Sequence, residues 1–207
     1  MNSMLLQKVI DEFNKFDELC KKEHAAYKKK VEQIERDYGN SKSNAAQEML
    51  GNAKNCFDTA IESARQAGIK LVEEVFTDVE KKVKEHVTVA VPADFIATLE
   101  TIKAIGKGIT ESEARLYLEK YKGNYTAFKS LAELINKECG YNIPYSHYDR
   151  VINEVERWKN NSKNFFLSYQ VAGGNIALFL MIAPNGEFYD FDSELNGFLT
   201  GDYATFS

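Results

Sequence analysis

Chemistry in this 207-residue chain would have to start from three histidines, three cysteines and a cluster of C-terminal carboxylates. His24, His86 and His147 are far apart and form neither His-x-x-x-His nor His-Glu-x-x-His, so no helix presents two imidazoles to one metal. His24 and His86 read as solvated helix residues and His147 as a polar residue opening a helix. Cys20, Cys56 and Cys139 are odd in number and contain no Cys-x-x-Cys, which argues against a disulfide framework or a structural zinc site and for a reduced setting. Cys139 with His147 is a conceivable nucleophile–base pair, but nothing nearby marks the thiol as activated. The run Gly-Lys-Gly-Ile-Thr at 106–110 lacks the phosphate-cradling spacing, and Gly-x-Ser-x-Gly does not occur.

The sharpest metal-like stretch is DSELNGFLTGDY, residues 192–203. Asp192, Glu194 and Asn196 alternate and Gly197 takes the sixth place, as in a calcium loop. The twelfth place, which should hold a bidentate Glu, is Tyr203, and Glu is too long for the third. Asp202 substitutes only with a different backbone path. The expectation is therefore no metal and no cofactor, with Asp192, Glu194, Asn196 and Asp202 the candidate ligands in an acidic loop. An enzyme acting through Asp190, Asp192 and Glu194 has no basic or nucleophilic partner in view.

Charge points away from nucleic acid. Residues 1–91 hold 15 basic and 16 acidic side chains and residues 92–160 hold 10 of each, while 161–207 sets Lys163 alone against five carboxylates. A phosphate-seeking stripe is absent, since Lys28–Lys30 sit among Glu23, Glu32 and Glu35. The longest apolar run, 176–183, is too short to span a bilayer, and charges begin at Lys8, so the expectation is a soluble, unsecreted, cytoplasmic protein without membrane partners.

The elements that must position these groups are mostly helical. In 3–38, Leu6, Val9, Phe13, Phe16, Cys20, Tyr27 and Ile34 step by threes and fours, a narrow stripe suited to packing along another helix. Gly39 supplies a stop, and Ser43 or Asn44 the next N-cap. A second helix over about 44–87 includes Met49, Phe57, Val75 and Val79 among its contact positions, with Gly51 and Gly68 weakening it without forcing an end. Two such helices make an antiparallel hairpin, and one hairpin cannot hide both stripes. A third helix from the chain or a second copy must cover the remainder. Residues 87–94, VTVAVPAD, are β-branched and interrupted by Pro92, which sets a boundary.

Beyond it, Phe95, Leu99, Ile102 and Ile105 face inward on one helix. Thr110 with Glu113 forms a Ser/Thr-x-x-Glu capping box at the head of the next, and Gly123-Asn124 separates that from a helix over 125–138. A further helix runs over about 145–160, with Val151, Ile152, Val155 and Trp158 on its apolar face. The span Phe95–Ile135 resembles the three-helix ubiquitin-associated (UBA-like) fold, which also occurs in the amino-terminal module of elongation factor Ts. FIATLETIKAIG matches the first helix, ITESEARLYLEKYKGN the loop and second helix, and YTAFKSLAELI the third. Where the family usually carries a Met-Gly-aromatic binding loop, this chain has Ile105-Gly106-Lys107. The resemblance therefore implies the architecture, together with a peptide- or helix-binding face around Ile105, Gly106, Leu134 and Ile135.

Residues 161–207 change character, holding ten of the 25 aromatic residues. Phe165, Leu167, Tyr169 and Val171 alternate, Ile176, Leu178, Leu180 and Ile182 alternate again, and EFYDF follows a Pro-Asn-Gly turn. These spacings predict a three-strand meander.

The expected fold is α+β, mostly α: a long antiparallel helical hairpin (1–91), a compact helical middle (92–160) and a small C-terminal antiparallel three-strand meander with an acidic aromatic tail (161–207). The expected function is non-enzymatic. An assembly or adaptor protein would self-associate as a homo-oligomer, or engage a heterologous helix, through Leu6, Val9, Phe13, Phe16, Met49, Phe57, Val75 and Val79. The alternative is a protein inhibitor or accessory factor, of the kind mobile elements encode, that binds its partner through the C-terminal region.

Overall fold

The structure is a computed structural model and describes residues 6–39, 43–168 and 187–206. Among them every regular element is helical: α1 (Gln7–Tyr38), α2 (Asn44–Val87), α3 (Phe95–Ile105), a 3₁₀ turn at Gly106–Gly108, α4 (Glu111–Lys120), α5 (Tyr125–Cys139), α6 (Tyr148–Ser168) and α7 (Glu187–Leu199). No helix among the described residues is long and apolar enough to cross a membrane. The mostly-α expectation agrees with this; the C-terminal meander does not. Residues 161–168, expected to begin it, continue α6, and EFYDF opens α7. The middle strand, 176–183, lies outside the described residues.

The physical reason is burial at helical spacing. Along α6 the buried positions are Val151, Val155, Trp158, Ser162, Phe165 and Phe166, so the apolar face runs on past residue 160. Phe165 and Phe166 are both buried while Leu167 is 58% exposed, the reverse of what a strand would give three consecutive residues. On α7, Phe188, Phe191, Leu195 and Phe198 are buried at steps of three and four. Asp192, Glu194 and Asn196 thus sit on a helix, not in a loop.

The chain divides into two compact units. One holds Leu6–Val75 and the described part of Lys159–Asn185. Here Tyr27 of α1 stacks on Phe57 of α2 with centroids 5.2 Å apart, and the two rings lie at similar distances from the interhelix connection, as an antiparallel hairpin requires. Ser43 caps α2, its Oγ accepting from the Ala46 N–H at 3.2 Å. The third helix is the chain's own: Phe13 stacks on Phe165 at 3.9 Å, and Phe16 meets the Phe166 ring edge-on at 5.1 Å. Gly68 lets Phe166 come this close, since a Cβ there would fall inside the ring. Arg65 Nε donates to the Phe166 carbonyl at 2.9 Å, and Lys163 pairs with Glu73.

The other unit holds Phe76–Trp158 and residues 187–206. Helices α3, α4 and α5 share a core of Phe95, Ile102, Ile109, Ala114, Leu118, Tyr121, Ala127, Leu131, Ala132 and Ile135. The Thr110–Glu113 capping box is formed in both directions. Asn124 does two jobs: Oδ1 caps α5 through the Ala127 N–H at 2.9 Å, and Nδ2 donates to the Ala90 carbonyl at 2.8 Å. That second bond ties the valine-rich boundary segment to α5. An aromatic group built from Tyr125, Phe128, Phe198 and Tyr203 anchors the C-terminal residues, with Ser146 as clasp. Ser146 N and Oγ both donate to the Tyr203 carbonyl, at 2.5 and 2.7 Å, and its Oγ accepts from the Phe206 N–H at 2.9 Å.

Candidate protein-docking site

Of the eight seam positions expected to face a partner, Leu6, Val9, Phe13, Phe16 and Val79 are buried, and Phe57 and Val75 are half-buried. Met49 alone is open, at 44% exposure. Phe13 and Phe16 are already occupied by Phe165 and Phe166, so the stripe at that end of α1 is spent inside the chain.

The second expected face is split. Ile135 is wholly buried in the α3–α5 core, and Leu134 packs half-buried against it. Gly106 is half-buried with its carbonyl accepting from Cys139 Sγ at 3.3 Å, and only Ile105 projects, at 49% exposure.

The polar candidates are placed as structural groups. Asp192 is buried and accepts from Asn196 Nδ2, one turn along α7, at 3.1 Å. Burial first, then the nearby Asp190 and Glu154 carboxylates, raise the Glu194 pKa. Asp202 follows Gly201 and accepts from the Ala204 N–H at 3.4 Å. Among the described residues no group of three or more His, Cys, Asp and Glu side chains is arranged to hold a metal ion. Gly197, read as the calcium-loop glycine, instead gives Thr205 room: a Cβ there would lie 2.8 Å from Thr205 Cγ2. Burial pushes the Cys139 thiol up, the opposite of an activated nucleophile. His86 is half-buried with Nε2 2.9 Å from the Tyr203 hydroxyl, and desolvation lowers its pKa.

What sequence reasoning missed is the outward side of α4. Ala114, Tyr117, Leu118 and Tyr121 turn toward α3 and α5, which leaves Leu116 pointing away, 72% exposed and the most open large apolar side chain among the described residues. It is about half a helical turn out of phase with the buried set, and that phase was the available signal. On one side of it lie Glu111, Arg115, Glu119 and Lys122, each acid beside a base: Arg115 Nη2 is 2.7 Å from Glu111 Oε1, and Lys122 Nζ is 3.5 Å from Glu119 Oε1. On the other side Glu113 is held by the Thr110 N–H and hydroxyl, which lower its pKa, and Lys120 pairs with Asp94 at 2.5 Å.

Beside the first flank opens a cleft of about 590 Å³. Its walls are Glu111, Arg115, Leu118 and Glu119 of α4, Lys122 in the turn that follows it, Phe128 of α5, the stretch Tyr141, Asn142, Ile143 and Pro144, and Gly201, Asp202, Tyr203 and Ala204. Gly201, at φ +98°, passes against the Lys122 carbonyl. The lining mixes apolar side chains with charges of both signs. That combination suits a peptide or helix surface better than a uniformly charged ligand. No protein-family model, curated protein or solved structure matches the chain.

Proposed function

We propose that the chain is a non-enzymatic assembly or adaptor protein that engages a protein partner through the outward face of α4 and the cleft beside it. The observation that carries this reading is Leu116. A leucine 72% exposed at the middle of a capped, well-packed helix is surface the fold itself does not use. Burying it against a partner would contribute about 1.5–3 kcal/mol, while the flanking exposed charges would chiefly select the partner. The reading favours α4 over the N-terminal seam, because Phe13 and Phe16 there are already packed on Phe165 and Phe166 of α6. Among residues 187–206, Phe188, Phe191, Phe198, Tyr203 and Phe206 are buried, which leaves Tyr189 as the exposed aromatic side chain there for the alternative inhibitor reading.

The test is Leu116→Arg. The variant should keep the wild-type circular dichroism spectrum and thermal midpoint, because the side chain touches little of the fold. It should lose association with any specific protein partner, this chain included, in sedimentation velocity and in quantitative affinity capture. A variant that keeps every association at wild-type strength contradicts the proposal.

A further inference from the structure

Residues 201–206 leave α7 through Gly201 and pack on α5 through the Tyr203 ring, 5.4 Å from Tyr125 and 4.9 Å from Phe128. Among the described residues, the hydrogen bonds of Tyr203 and Phe206 to other elements reach two residues. Ser146 takes the backbone, and His86, in the last turn of α2, takes the Tyr203 hydroxyl. Gly201, Asp202, Tyr203 and Ala204 also line the cleft. One imidazole is therefore in contact with the segment that walls it. The neutral ring suits this place. Tyr203 is buried and its hydroxyl has no other hydrogen-bond partner among the described residues, so the tautomer that leaves Nε2 to accept satisfies it, at 2.9 Å. A second proton makes Nε2 a donor, turns the hydroxyl into an acceptor and strands its hydrogen. It also places a charge beside the Phe198 ring, 5.6 Å away, in a half-buried aromatic setting.

The groups facing the ring are Phe198 from α7, Tyr203 from the segment and, behind both, Tyr125 from α5, whose hydroxyl burial keeps neutral. The charged neighbours Lys82 and Glu85 on α2 and Asp202 beside Tyr203 are exposed to solvent. The end of α2 favours a positive ring through its dipole. Burial opposes one, and the net direction of the His86 pKa is down. We infer that residues 201–206 are a proton-sensitive strap, latched while His86 is neutral and loosened, with loss of one cleft wall, when it is protonated. This goes beyond the docking reading and holds whether or not a partner uses the cleft. Protonation does not unfold the unit; it makes a local opening more frequent. The released ring titrates at its ordinary 6.5, so opening rises by up to roughly tenfold between pH 7.5 and 5.5, the ceiling for one group over that range.

The test is amide hydrogen exchange of the intact chain at roughly pH 7.5 and 5.5, corrected for intrinsic rates. The Ser146 and Phe206 amides close the clasp, so they should exchange through an opening more frequent than the one that releases Leu131 and Ile135 in the α5 core. That opening should rise at least about threefold toward the lower pH in wild type and stay level in His86→Gln. The His86 ring signals of the wild-type chain, which need no variant, should titrate below 6.5. Exchange of the two amides in step with Leu131 and Ile135 at both values means global unfolding and overturns the strap. A rise that persists in His86→Gln overturns the latch, as does a His86 ring that titrates at or above its ordinary value.

Discussion

Gly68 shows how a single residue can carry a tertiary message. A glycine inside a long helix costs about 1 kcal/mol against alanine, and from sequence alone it reads as a weak point. Here it is the socket for Phe166. Gly68→Ala should therefore destabilise the protein despite the gain in helix propensity, by about 1–3 kcal/mol from overpacking, measured by urea unfolding. A stabilised variant would mean the ring does not sit there. His86 gives a pH signature at the same scale. Its ordinary pKa is 6.5, and burial against Phe198 and Tyr203 lowers it in the folded state, while the Tyr203 hydroxyl, pushed up to about 12, stays neutral. The unfolded chain then binds more protons than the folded one just below pH 6.5. The His86 contribution is complete above that value and is lost as pH falls toward the lowered pKa. His86→Gln should flatten the stability difference between roughly pH 7.5 and 5.5, in unfolding curves taken at the two ends. An unchanged slope would remove His86 as its source.

At the scale of elements, the parts legible in the sequence were those written in local chemistry. The capping box at Thr110 and Glu113, the Gly39 stop and the stripe along α1 each follow from a few neighbouring residues, and the structure forms each of them. The C-terminal helices were not legible in that way. Phe165 and Leu167 alternate as well as any strand, and only the packing of Phe165 and Phe166 on Phe13 and Phe16 decides for α6. On α7 the alternating Asp192, Glu194 and Asn196 drew attention from the Phe188–Phe191–Leu195–Phe198 spacing beneath them. On α4 the phase of Leu116 against Ala114, Leu118 and Tyr121 is readable from the sequence, but which of the two sides is covered is set by α3 and α5. Asn124 tests the local logic. Asn124→Ala removes both the α5 cap and the tie to Ala90, and should cost about 1–2 kcal/mol in chemical denaturation. A cost near zero would mean that neither bond persists in solution.

For the whole molecule, burial decides where a partner can act. The greasy seam of the N-terminal helices is largely consumed by the chain's own third helix. Of the aromatic residues in 187–206, all but the exposed Tyr189 are buried, and Ser146 clasps the segment that carries Tyr203 and Phe206. Among the described residues the large apolar side chains left outside are scattered, Leu116 the most open of them, with Leu167, Ile96, Ile105 and Met49 on other helices or at their ends. Leu116 has a flank of alternating charges and the cleft alongside. The central claim is that proteins dock there. Amide ¹⁵N–¹H spectra of the intact chain recorded across a dilution series test it most directly, because they report every backbone site at once. The account predicts concentration-dependent shifts concentrated at Ser112, Arg115, Leu116 and Glu119, with the core positions of α5 unmoved. Concentration-dependent shifts centred instead on the exposed end of the N-terminal hairpin around Met49, with α4 unmoved, would contradict it.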